Sequence, residues 1–178
     1  MILDEDERDV IHEHLPYELY MLENSLKTWN DCVRRGERGF ERGLAFENFW
    51  LHARNLIDFF SKPEGGSDVV ASTFIKDKHL DFSLSGCALQ DLRDRINEQI
   101  CHLQRRRGII AKELTGTDAE HIFSRIRNAK EEFEHNLTCE ARGLWNSPKS
   151  LEIKFDHEFY ASACSFSWSS ESSSPVLD

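Results

Sequence analysis

The chain has 178 residues, of which 39% are hydrophobic and 30% are charged, and its formal net charge at pH 7 is -10. This length is enough to bury a sizeable core as one domain, and no apolar run approaches the roughly 18 residues that a membrane-spanning helix requires. An acidic surface repels polyanions, so contact with nucleic acid would require a local basic patch.

The amino terminus and the cysteines predict a cytoplasmic protein. The first nine residues, MILDEDERD, are acidic, whereas a secretory signal has a basic stretch followed by an apolar one. The five cysteines are scattered and form no CxxC pair, which favours free thiols over disulfides or a zinc ribbon. We therefore expect no structural metal, no cofactor and no membrane contact.

The first two predicted helices follow one another in the amino-terminal third of the chain. Pro16 suits the first turn of a helix, and apolar residues recur behind it at steps of three and four up to Gly36. The second helix is apolar nearly all round, because Leu44, Leu51 and Phe59 lie outside the broad face that its other large side chains share. Such a helix lies at the centre of a bundle or is also covered by a second subunit, so we expect a homodimer through this helix.

Two further helices are predicted in the second half of the chain. Ser83 or Ser85 can cap the third helix, whose apolar positions recur regularly up to Gly108. The fourth helix begins at Thr117, the first residue of a capping-box pattern, and continues to Leu137. Four main helices are thus expected.

The remaining segments are less regular. Residues 68–82 carry weak signals, which fit an ordered connection with one short helix at most. After Gly143, apolar and polar residues alternate as in a short strand, and a serine-rich end follows that is typical of a flexible tail. We therefore predict an all-α fold, an up-and-down bundle of four main helices in residues 1–142 with a less regular extension in residues 143–178. The alternating apolar residues are Leu151, Ile153 and Phe155.

The third helix carries Arg95 and His102, which are seven residues apart. Because an α-helix advances about 100° per residue, the two side chains share a flank, about 20° apart around the axis and roughly 10 Å apart along it. Imidazole exchanges a proton near neutral pH and guanidinium stabilises an anionic phosphorane, so the pair could cleave a phosphodiester bond without a metal. In the alternative interpretation, His102 bridges helices and Arg95 pairs with an acid such as Asp58 or Asp91.

The second helix carries His52 and Asp58 in the segment LHARNLIDFF. His52 lies at the edge of the apolar face, where it could meet His102 as a second acid or base. Asp58 points away from that face, alongside Leu44 and Leu51. These residues could therefore instead form a dimer face whose polar contacts fix its register.

These segments resemble the HEPN superfamily, whose four-helix members share an Arg-x4-6-His motif, form dimers and include metal-independent endoribonucleases of toxin systems. More closely, FWLHARNLIDFF followed by RINEQICHLQRRR is similar to a group of uncharacterised bacterial proteins. The resemblance covers about residues 40–137. It implies catalytic roles for Arg95 and His102, matches Arg107 to a later arginine of that group, and implies an RNA substrate and an antitoxin partner. Two positions differ from the group's pattern, since Glu98 replaces a lysine and Gln104 replaces a threonine.

Other polar residues near this pair have simpler explanations. Asn97 falls on the opposite flank of the third helix and Arg107 points toward its apolar side, so we expect both to have structural roles. Two basic clusters, at residues 34–42 and 105–107, could hold RNA if they lie at one end of the bundle. Otherwise they are charges near helix ends that the helix dipole favours.

Two functions therefore remain open. In the first, the chain is a metal-independent ribonuclease in which His102 is the general acid or base and Arg95 stabilises the phosphate. In the second, it is a non-catalytic interaction module in which the same two side chains are buried bridges paired with acids.

Overall fold

A computed structural model describes residues 2–62, 68–84, 86–101 and 114–146 of the chain. Within these ranges the protein is an all-α bundle without strands, as predicted, and none of its helices is long and apolar enough to span a membrane. The helices are α1 (Glu5–Asp9), α2 (Leu15–Arg34), α3 (Phe40–Ser61), α4 (Cys87–Ile96), α5 (Gly116–Asn136) and α6 (Cys139–Leu144). One π-helical turn (Val10–His14) joins α1 to α2, and a second (Asn97–Cys101) extends α4.

Helices α2 and α3 form the most extensive helix pair of the described structure. The turn between them depends on Gly36, whose φ of +69° is strained for residues with a side chain. The amide of Glu37 donates to the carbonyl of Cys32, and that of Gly36 donates to Val33, which is the Schellman pattern of a helix end. The predicted end of the first main helix at Gly36 is therefore confirmed.

Helix α3 lies at the centre of the bundle, which is one of the two arrangements that its apolar sequence predicts. In its amino-terminal half, Phe49 packs against Trp29 of α2 and against Trp50, and all three side chains are buried. Its carboxyl-terminal half meets Phe133 near the end of α5, so α3 and α5 end side by side as an up-and-down order requires. Phe133 contacts the rings of Phe59, Phe60, Phe74, Phe82 and Trp145.

The predicted starts of the last two main helices need correction. The N-cap position of helix α4 is Gly86, whose φ of +109° favours glycine, and not Ser83, while Ser85 lies outside the described residues. The capping box of α5 begins at Thr115 and not at Thr117, because the Thr115 hydroxyl accepts a hydrogen bond from the backbone of Asp118. Both corrections concern helix boundaries and leave the helices themselves as predicted.

The segment between α3 and α4 contains one short 3-10 helix, Ala71–Phe74. This agrees with the prediction of at most one short helix in residues 68–82. An isolated bridge between Ile75 and Leu137 ties this segment to the end of α5. The sequence did not predict α6, which runs across the expected boundary between residues 142 and 143. The expected strand and serine-rich tail lie outside the described residues.

Candidate functional site

Arg95 lies in the last turn of α4 and faces the start of α5. Its Nη1 and Nη2 atoms donate to the two carboxylate oxygens of Asp118 over 3.2 and 3.0 Å, and its Nε lies 3.3 Å from Asp91. The Arg95 side chain is only 18% exposed and that of Asp118 is 25% exposed. Asp118 also accepts hydrogen bonds from the backbone amide and the hydroxyl of Thr115, so Arg95 binds to the capping box of α5.

The ionisation of this pair follows from its hydrogen bonds. Burial by itself would raise the pKa of Asp118, but the hydrogen bonds from Arg95 and Thr115 outweigh it and hold that pKa below its ordinary value. The hydrogen bonds to Asp118 in turn raise the pKa of the Arg95 guanidinium. Both groups are therefore charged at neutral pH, and the positive charge of Arg95 faces carboxylates. Of the two acids that the sequence suggested, Asp91 is a partner of Arg95 and Asp58 pairs elsewhere.

The second π-helical turn alters the geometry that would join Arg95 to position 102. Hydrogen bonds in a π turn reach five residues instead of four, so the turn holds about one extra residue and rotates later side chains back by about 100°. The predicted common flank of Arg95 and His102 assumes an uninterrupted α-helix, which the chain does not form between Asn97 and Cys101. His102 and Arg107 themselves lie outside the described residues.

Asn97 is the first residue of that π turn. The Oδ1 atom of its side chain is buried and has no hydrogen-bond partner within the described ranges. A buried amide oxygen without a protein donor either costs free energy or is satisfied by a water molecule. The structural role that its position on the helix predicts stays a prediction.

His52 bridges α3 to α2. Its Nδ1 lies 2.8 Å from Glu18 Oε2, and the same oxygen accepts a hydrogen bond from the Asn55 amide over 3.1 Å. The ring of Tyr17 packs edge-on against the imidazole, which is 8% exposed. These contacts hold His52 in a polar link between two helices. The alternative, in which it meets His102, concerns a residue outside the described ranges and stays a prediction.

Asp58 points toward α4 instead of away from the bundle. Its carboxylate lies 2.8 Å from Nε of Arg93 and 3.2 Å from Nζ of Lys62. The helical wheel places Asp58 outside the apolar face of α3, but it cannot show that α4 covers this position. Asp58 therefore links α3 to α4 and is not part of an exposed dimer face.

The outer face of α3 consists of Phe40, Leu44 and Leu51, which are spaced by four and seven residues and so lie on one side of the helix. These side chains are 85%, 44% and 38% exposed, in that order. Phe59, which the sequence also placed outside the main apolar face, instead packs against Phe74 and Phe133. The exposed apolar side chains of α3 thus occupy its amino-terminal and middle turns.

Two arginines of the basic cluster at residues 34–42 are paired with acids. Arg34 lies 2.5 Å from Asp31, and Arg35 lies 3.0 Å from Glu37. Arg42 is half-buried, burial lowers the pKa of its guanidinium, and it donates to the carbonyl of Glu37. Arg38 is exposed, and no ion pair among the described residues includes it. Of this cluster, Arg38 is therefore the arginine most open to a phosphate backbone. The three consecutive arginines of the second cluster lie outside the described residues.

One group of side chains in the described structure has the composition of a metal site. The ligand atoms of Cys32, Glu37 and Glu41 lie within 4.8 Å of one another. Burial raises the pKa of the Cys32 thiol, and the Arg35 guanidinium lies 3.7 Å from its sulfur. A thiol whose pKa is raised releases its proton to a metal less readily, and the Arg35 guanidinium already places a positive charge beside the sulfur, so this group is a poor metal site.

Two contacts at this site could not be expected from the sequence. Asp118 belongs to a capping pattern, but nothing local indicates that its partner is 23 residues away on α4. Glu18 has no distinguishing neighbour pattern, yet it binds both His52 and Asn55. Each contact depends on how two helices are packed, which is not a property of either helix alone.

The chain matches no protein-family model, and no curated protein and no solved structure is significantly similar to it. Its function is therefore inferred from the chemistry of its own residues. The two arrangements that bear on function are the paired guanidinium of Arg95 and the exposed outer face of α3.

Proposed function

We propose that the chain is a non-catalytic helical interaction module that pairs with a second copy of itself through the outer face of α3. The observation that carries this proposal is the state of Arg95, whose guanidinium binds Asp118 and lies against Asp91. A phosphate that approached it would have to displace a bidentate carboxylate in a half-buried site. Arg95 on this account joins α4 to α5.

The outer face of α3 supplies the surface for pairing. Isolated exposed apolar residues are ordinary, but a row of them along one helix is typical of an interface. Closed dimers are usually two-fold symmetric, so the same face contacts its copy. If two α3 helices cross in opposite directions, Leu44 packs against Leu51 of the partner subunit and the reverse contact follows by symmetry. The polar link of His52 behind this face keeps α2 and α3 in register.

Sedimentation equilibrium of the full chain tests this proposal. The wild type is expected to sediment as a dimer, and the double substitution Leu44→Asp with Leu51→Asp as a monomer, because four carboxylates would be buried at the contact. Ile2→Asp is the matched control, since Ile2 is an exposed aliphatic residue outside α3. Circular dichroism shows whether each variant keeps its helices. A monomeric wild type, or a dimer unchanged by the double substitution, would reject the proposal.

A metal-independent ribonuclease is the second candidate function. Arg95 lies two residues before the first residue of a π-helical turn, and such turns are frequent at functional sites. In this proposal His102 transfers the proton, Arg95 releases Asp118 to bind the phosphate, and an antitoxin protein holds the enzyme inactive in the cytoplasm.

Labelled RNA incubated with the purified chain, with and without EDTA, separates the two functions. The ribonuclease proposal expects cleavage that EDTA does not change and that both His102→Ala and Arg95→Ala abolish. The interaction module expects no cleavage by any of these proteins. Cleavage that neither substitution changes would contradict both assignments.

A further inference from the structure

A cavity of about 350 Å³ lies between four segments: the first π-helical turn, α2, α3 and the residues after α3. Its volume is within the range of small-molecule sites. Part of its wall is apolar and part carries charged or amide groups, which is the usual composition of such sites. The apolar wall is formed by Val10, Leu15, Leu56, Phe59, Val69 and Val70.

The polar wall presents two acceptor atoms that the protein itself does not use. Glu18 receives its hydrogen bonds from His52 and Asn55 on one oxygen, Oε2. Within the described ranges, no donor reaches the other oxygen of Glu18 or the Oδ1 atom of Asn55. Both residues line the cavity and neither is fully buried, so these atoms can accept hydrogen bonds from a ligand.

The charges around the cavity favour a cation. Glu18, Asp58 and Asp68 line it together with a single lysine, Lys62. Lys62 lies between the two aspartates, at 3.2 and 2.7 Å, and Arg93 binds Asp58 from outside the cavity. Among the described residues, three carboxylates then face the two cations Lys62 and Arg93, an excess of one acidic group. Glu18 carries this excess most directly, since its ion-pair partner among the described residues is His52 and not a lysine or arginine.

We propose that this cavity binds a small aliphatic amine. The ammonium group donates to Glu18 and Asn55, and the alkyl chain lies along the apolar wall formed by residues such as Leu56 and Phe59. A carboxylate ligand is disfavoured by the charge of Glu18, and an alcohol lacks the charge that strengthens the hydrogen bonds.

An NMR titration of the full-length chain with n-butylamine at neutral pH tests the proposal. Saturable shifts are expected at backbone amides around the cavity, such as those of Asn55 and Val70. The isosteric 1-butanol and the anion butyrate are expected to cause none. Nα-acetyl-lysine methylamide, which carries the same alkylammonium group on a peptide backbone, shows whether the site takes free amines alone or also a lysine side chain.

The variant Glu18→Gln removes the charge but keeps an acceptor for His52, and Glu13→Gln is its matched control because Glu13 is exposed and does not line the cavity. We expect Glu18→Gln to weaken binding by about tenfold or more and Glu13→Gln to leave it unchanged. Val69→Phe fills the cavity without touching the link to His52, and is expected to abolish binding. No shifts in the wild type, equal binding of 1-butanol, or equal binding by Glu18→Gln and the wild type would each overturn the proposal.

Discussion

Replacing Asp118 with asparagine removes the charge that Arg95 faces while it keeps the size of the side chain and an oxygen for the capping box. The side chains of Arg95 and Asp118 are 18% and 25% exposed, so the free energy lost with this ion pair should lie between the values for exposed and for buried pairs. Exposed ion pairs contribute about 1 kcal/mol or less, whereas breaking a buried pair costs about 3–5 kcal/mol. We therefore expect Asp118→Asn to lower the free energy of unfolding by about 2 kcal/mol.

Urea denaturation followed by circular dichroism measures this change, which corresponds to a midpoint lower by about 1 M for a domain of ordinary size. Asp91→Asn is the matched control, because Asp91 also lies against Arg95 but its side chain is 71% exposed. Its effect should not exceed about 0.5 kcal/mol. Equal effects of the two substitutions, or none for Asp118→Asn, would refute the assignment of Arg95 to a structural bridge.

Three further predictions concern the same fold. The pKa of Asp118 is lowered in the folded chain, so its contribution to stability is complete above the ordinary aspartate pKa of about 3.9 and is lost as pH falls through the lower native value. The difference in unfolding free energy between wild type and Asp118→Asn should therefore shrink in acid and stay constant from pH 6 to 8. Phe133→Ala should cost about 3–5 kcal/mol in denaturant unfolding, because its ring packs against five other aromatic rings, and a cost below about 1 kcal/mol would contradict that packing. Gly36→Ala should lower the melting temperature and cost about 1 kcal/mol since its φ is positive, whereas Gly43→Ala, within α3 and with open space at its Cβ, should stabilise by up to about 1 kcal/mol.

The four main helices could be predicted because their apolar residues repeat along the chain. The spacing from Leu19 to Val33 specifies one buried stripe, and the apolar character of α3 on several sides indicates a central helix or a subunit interface. Such periodicity is local and does not depend on which helices become neighbours. The capping positions were less certain, since several serines and threonines near a helix start can serve as caps.

The candidate site was harder to predict, because its properties depend on contacts between helices. The choice of Asp118 and not Asp58 as the bidentate partner of Arg95 depends on where α5 begins relative to α4. The π turn at Asn97 adds about one residue to the turn without a compositional signal, so a regular helical wheel cannot include it. Helix α6 has only 6 residues, too few for a periodic pattern to be seen.

Isotope-filtered NOE spectroscopy on a mixture of labelled and unlabelled chains tests most directly whether the outer face of α3 is a self-contact. The methyl groups of Leu44 on one chain and Leu51 on the other should show intermolecular NOEs, because a two-fold contact with α3 helices in opposite directions brings them together. Intermolecular NOEs at another surface, such as that around Tyr20, would contradict this self-contact. So would a sample that sediments as a monomer and shows no intermolecular NOEs.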